Sequence, residues 1–246
     1  MTCRSERGAV LVVTLMAMLL LSAIGAALVL ATSTDVQVAA NAGAATEAFY
    51  AADAVFERTL AELRTAPDFT AILDGSVGSG FVDGPPTGVR TMPDATVVDV
   101  AEIENLANCA RRTPCSDSDM DSSLRDRSWG RRNPRWRLFS WGMLDVDRAG
   151  PALYVVALVA DDPAESDDDP LQDGGGTGTT ANPGAGVLLI RGEAVGRRGA
   201  HRVLEGTVVR HDLVALARWR VADPATRGPA PSNFPVLQVL AWREVR

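Results

Sequence analysis

Hydrophobic positions along this chain change their rhythm several times, and each change marks a different kind of element. From Ala9 to Thr34 the sequence AVLVVTLMAMLLLSAIGAALVLATST carries no charge, and the run stops at Asp35. About 20 apolar residues suffice to cross the hydrocarbon core as a helix, and this run is longer. Beyond Asn41 the apolar residues become periodic. Phe49, Ala52, Phe56, Leu60 and Leu63 recur at spacings of three and four, the stripe of an amphipathic helix. Glu47, Asp53, Glu57, Arg58 and Glu62 fall mostly off that stripe, and Pro67 ends it. The pattern predicts one continuous helix over residues 9–66, with Gly25 and Asn41-Ala42-Gly43 as the places where it bends or frays.

Past Pro67 the helical period disappears. Phe69 to Met92 is rich in Gly, Pro and Asp and reads as irregular connection. Thr96 to Val100 reads as a short strand. Arg135 to Val146 (RWRLFSWGMLDV) is aromatic and alternating, and Ala152 to Ala160 (ALYVVALVA) is continuously apolar; both predict strands. Val187 to Val195 and His201 to Arg210 flank Gly196-Arg197-Arg198-Gly199-Ala200, a hairpin with glycine at its turn. Leu213 to Val221 and Pro235 to Trp242 add a terminal helix or further strands. The sum is α+β: a long N-terminal helix, with a transmembrane half and an amphipathic half, packed on an antiparallel β-sheet. The expected division is a leader over 1–8, an apolar helix over 9–34, an exported amphipathic helix over 35–66 and a globular β domain over 67–246. Roughly 180 residues beyond the helix are enough for one domain with a real core.

The flanks of the apolar run set its orientation. Arg4 and Arg7 precede it, so the leader is expected to stay cytoplasmic and the rest to lie across the membrane. A cleaved secretory signal has an apolar core of about 7–15 residues, shorter than this one, although Ala26, Ala27 and Ala31 keep a cut site open. A plain signal anchor fits the length and the flanks. A third reading rests on Glu6-Arg7-Gly8 followed directly by Ala9-Val10-Leu11-Val12-Val13-Thr14. This sequence resembles the class III signal of type IV pilin-like proteins. The resemblance implies that a prepilin peptidase cuts between Gly8 and Ala9 on the cytoplasmic side and methylates the new N-terminus.

Further residues carry the same resemblance. Ala48-Phe49-Tyr50-Ala51-Ala52-Asp53-Ala54 is similar to the alanine-rich "AF-x-AAEA" stretch of PilX-type minor pilins, with Asp53 where that family usually has glutamate. The hairpin around Gly196 resembles the pattern that closes the sheet in the same family. One departure from pilins at large is informative. Most carry glutamate as the fifth residue after the cut, where it neutralises a neighbouring subunit's N-terminus; here that residue is Val13. A carboxylate in an apolar core is costly unless paired, so a subunit lacking it suits a position with no subunit ahead. The resemblance thus implies a minor pilin of the type IV pilus, at or near the tip, acting in filament assembly. Its expected partners are major and minor pilins, the prepilin peptidase and the inner-membrane assembly machinery. Its expected location is the bacterial inner membrane, single-pass with an exported C-terminal domain, then the pilus. A K-like minor pseudopilin of type II secretion shares the absence of glutamate, and a signal-anchored periplasmic binding domain that never polymerises stays open.

Composition narrows the chemistry. All 24 basic residues are arginine, which removes P-loop, Schiff-base and pyridoxal lysines. The net charge is −7, and loss of residues 1–8, which carry one net positive charge, makes it −8. An acidic domain is a poor general nucleic-acid binder, because phosphate neutralisation dominates such affinity. Arg125 to Arg137 (RDRSWGRRNPRWR) is a local exception that suits DNA, an acidic polysaccharide or an acidic subunit, or else is a solvated strand edge with arginine stems on Trp129 and Trp136. Cys3 lies in the leader, whereas Cys109 and Cys115 sit in a loop-like stretch and, in an oxidising compartment, read as a disulfide.

Two acidic stretches are candidate cation loops. Asp117, Asp119 and Asp121 alternate but lack the glycine and closing glutamate of an EF-hand. The second, the acidic glycine-rich loop 161–186, holds Asp161, Asp162, Glu165, Asp167, Asp168 and Asp169, followed by Asp173. Clustered carboxylates repel unless screened, so calcium at Asp161, Asp162, Asp167, Asp168 and Asp169 is one expectation and a solvated insertion the other. No nucleophile stands beside a base, and His201 and His211 read as surface or strand residues, so no enzymatic activity is expected.

Overall fold

The computed structural model describes residues 6–66, 68–125, 127–144, 152–165, 169–174, 186–211 and 236–245. Helix α1 runs from Glu6 to Leu63. It passes through two units divided between Ala44 and Ala45. From residue 9 to residue 34 the helix carries no charge on any side, and Val10, Leu15, Leu20, Ile24 and Leu30 are all exposed. A helix with no polar face has no reason to stop water reaching one side more than another, so it needs an apolar surrounding.

The second unit contains the rest of α1 and the sheet. Five strands form one antiparallel sheet in chain order: β3 (Arg137–Leu144), β4 (Leu153–Asp161), β5 (Val187–Val195), β6 (His201–His211) and β7 (Val236–Val245). The buried positions of α1 here come in pairs: Ala51 and Ala52, Val55 and Phe56, Thr59 and Leu60. That spacing keeps one face on the sheet. Ala51, Ala52 and Val55 pack with Leu153, Val155, Ala157, Ala194 and Leu204. Phe56, Leu60 and Leu63 continue onto Phe139, Val159, Leu188, Ile190 and Val208, with Phe69, Ile72 and Leu73 from the short helix α2 (Thr70–Leu73).

The opposite face of β4 carries Tyr154, Val156, Leu158 and Ala160. They are covered by Val100, Ile103 and Ala107 of α3 (Val100–Cys109), by Met92 and Val98 around the two-stranded sheet β1 (Val89–Thr91) and β2 (Val97–Asp99), and by Trp136 and Trp141. All nine residues of β4 are therefore buried. A strand covered on both sides has no polar positions to alternate with, which explains its unbroken apolar sequence.

Two differences from the sequence reading concern α3 and the arginine-rich stretch. Val100 does not end a strand; it starts α3, because the Asp99 carboxylate accepts the Ala101 and Glu102 amides and caps a helix there. Residues 128–136 are not a strand edge but a pinned loop. Buried Asn133 donates to the Met120 and Ser122 carbonyls and accepts the Trp129 amide, and Trp136 lies in the core. The region over 69–92, expected to be irregular, also includes α2 and β1. The hairpin at Gly196 is as expected, with β5 and β6 paired from Val187↔Val209 to Val195↔His201. Pro67, and the stretch 213–221 expected to add a helix or strand, lie outside the described residues.

Candidate functional site

The exported half of α1 approaches the sheet closely because glycine stands opposite it. A Cβ on Gly192 would lie 2.7 Å from the Ala52 carbonyl oxygen, and one on Gly206 2.5 Å from the Phe56 ring. Of the helix residues singled out from the sequence, Ala52 and Phe56 are buried, Phe49 is half-buried and Val13 is exposed. The alanines at 48, 51 and 52 are thus a contact surface, and Tyr50 and Asp53 between them face outward. Gly8 and Ala9 lie within the helix, which begins at Glu6 rather than after Gly8.

The residues next to Gly192 form a charged network on the other face of the sheet. Arg191 donates through Nε to Glu193 and through Nη1 to Glu205 at 2.6 Å. Arg243 donates from Nε and Nη2 to the second oxygen of Glu205, at 3.1 and 2.7 Å. His201 Nε2 lies 2.8 Å from Glu193. Burial alone would raise the Glu193 carboxyl, but the His201 hydrogen bond and the Arg191 charge outweigh it and hold it below its ordinary value. The sequence reading missed this network; the alternation of Arg191, Glu193 and Glu205 with glycines is the signal that marks it.

Cys109 and Cys115 are joined in a disulfide, as expected. Beside it, Asn108 exchanges two hydrogen bonds with the Trp136 backbone, at 2.8 and 2.7 Å, and ties the end of α3 to the start of β3. The first acidic stretch is structural. Ser116 and Asp119 form a capping box on α4 (Asp117–Met120), Asp119 also meets Arg111, and Asp121 pairs with Arg135.

The second acidic stretch contains a cluster, with a different membership from that read in the sequence. One carboxylate oxygen each from Asp161, Glu165 and Asp173 lie within 4.8 Å of one another. Asp161 ends β4, 6% exposed, and a turn closed by the Glu165 amide on the Asp162 carbonyl brings Glu165, 3% exposed, back to it. Asp173 is held from both sides: its amide donates to Thr70 Oγ1, and its Oδ1 accepts the Gly186 amide at 2.6 Å. Asp162 and Asp169 are not in the cluster; their carboxylates accept local amides, of Ala164 and of Leu171. They line, with Asp161, Glu165, Arg131 and Arg132, a small cleft half open to solvent. Asp167 and Asp168 lie outside the described residues. Burial first, then contact with Glu165, pushes the Asp161 carboxyl up to about 9.

Comparison with known families gives one match, to the N-terminal segment. Residues 7–57 match the family model described as PilX N-terminal. The N-terminal segment is therefore similar to that of PilX-type type IV pilins over about a fifth of the chain, and the long helix on an antiparallel sheet is consistent with a pilin-like fold. No match was found among curated proteins or solved structures. The match spans both the exposed apolar part of α1 and the part that packs on the sheet. One 18-residue window of α1 has a mean hydropathy of 2.5 with none of it buried, long and apolar enough to cross a membrane.

Proposed function

We propose that this chain is a minor pilin, held in the inner membrane by the N-terminal part of α1 with its C-terminal domain exported. A prepilin peptidase cuts it after Gly8 and methylates Ala9, and it then enters a type IV pilus at or near the tip. The match over residues 7–57 carries the proposal. Val13, at the fifth residue after the cut, supports the tip position, because it offers no carboxylate to a neighbouring N-terminus. The work of such a subunit is mechanical rather than catalytic: lipid holds the apolar helix until it packs among other subunit helices.

Intact-mass analysis of the chain expressed with and without a prepilin peptidase tests this. Loss of residues 1–8 with one methyl group on Ala9 is expected only with the peptidase. An unprocessed chain, or a cut near Ala27 or Ala31, would overturn the proposal.

A further inference from the structure

The cluster of Asp161, Glu165 and Asp173 brings three buried or half-buried carboxyl groups together. Each comes from a different piece of chain: the end of β4, the turn after it, and the segment tied to α2 and to the start of β5. Acidic residues that gather on loops normally point into water, where repulsion is screened. Here Asp161 and Glu165 are more than nine-tenths buried, and Asp161 Oδ1, out of contact with solvent, has no hydrogen-bond partner. A buried oxygen without a donor costs on the order of 1–3 kcal/mol, more when charged, unless something positive meets it.

We propose that Asp161, Glu165 and Asp173 bind one calcium ion. The donor set is oxygen only, which selects a hard divalent cation over zinc or copper. The spacing admits calcium: with bonds of about 2.4 Å, two oxygens on one ion stand up to about 4.8 Å apart, and the three oxygens lie within that distance of one another. Magnesium demands a near-ideal octahedron at about 2.0–2.1 Å and gives up its water reluctantly, which an irregular set of carboxylates from three pieces of chain suits less well. The cleft beside the cluster is half open to solvent, so water can reach an ion there and add to the oxygens calcium takes. The ion's structural effect is to clamp the end of β4 to the approach to β5, one end of the sheet that receives α1. The inference stands on the cluster alone and is independent of whether the chain is a pilin.

The test uses the full chain in detergent, stripped with a chelator and titrated with calcium chloride and, separately, magnesium chloride. Calorimetry is expected to show one saturable calcium event, and thermal unfolding a rise in Tm of about 5–10 °C at calcium a hundredfold above Kd. Asp161→Asn is expected to weaken calcium binding by about tenfold or more, since ligand charge tunes such sites, while Asp117→Asn leaves it unchanged. Absence of saturable heat up to about 10 mM calcium, above the weakest modules of this kind, overturns the proposal. So does full calcium affinity in Asp161→Asn. A shared proton in place of an ion has its own signature: Asp161→Asn raises Tm in chelator and calcium leaves the wild type unmoved.

Discussion

The two parts of α1 obey opposite rules although they are one helix. In residues 9–38 the large apolar side chains are all exposed; in residues 51–63 they are all buried, at spacings that follow one face. The first part is more hydrophobic and contributes nothing to a core among the described residues. The second is rich in alanine and is central to one. Hydrophobicity alone therefore does not say what a helix is for; periodicity does, because a helix that packs on its own domain must have a polar side and one meant for lipid or for other helices need not.

The largest test of that contrast is to truncate one side chain in each part. Phe56→Ala is expected to cost the C-terminal domain about 3–5 kcal/mol, and Leu20→Ala less than about 0.5 kcal/mol, by urea unfolding of the full chain in detergent followed by tryptophan fluorescence. Equal losses would erase the distinction. A smaller effect probes the partner surface. Gly192→Ala places a methyl against the Ala52 carbonyl, which cannot swing aside, and is expected to cost about 1–3 kcal/mol in the same assay; no change would mean that the helix is not held closely. The smallest concerns the face behind Gly192. Glu193 has a lowered folded-state pKa, so its contribution is present above the unfolded value of about 4.3 and is lost as pH falls through the folded one. The difference in urea midpoint between wild type and Glu193→Gln, in which other titrating groups cancel, is expected to hold from pH 7 to about 5 and shrink below about 4. Glu193→Gln should start lower and fall less; an identical acid slope would remove Glu193 as a cause.

Much of this was legible because it is local. The apolar run, the stripe from Ala52 to Leu63 and the hairpin at Gly196 each announce themselves within a few residues. What was not legible depends on groups distant in the chain. The glycines at 192 and 206 look like ordinary breakers until a helix more than a hundred residues earlier is laid on them. Cys109 and Cys115 were readable as a pair, but not that Asn108 beside them holds the backbone of Trp136. The acidic loop was visible as charge. Its cluster was not, because a run of five aspartates hides which carboxylates turn inward, and Glu165 and Asp173 do so through a turn and a remote hydrogen bond to Thr70. Helix α3 was lost to a local conflict, since TVVDV has strand composition and only its aspartate signals the cap.

The order in which these surfaces leave the ribosome matters as well. The face of α1 that ends up on the sheet is made early, whereas its partners on β4, β5 and β6 begin near Leu153, roughly 100 residues later. At about 5–20 residues per second, that leaves the finished helix without its sheet for about 5–20 s. A face of leucines would be adhesive throughout. Alanines at 48, 51 and 52 expose far less apolar area in the meantime, so the small residues that permit a close fit in the finished domain also keep its first-made surface quiet while it waits.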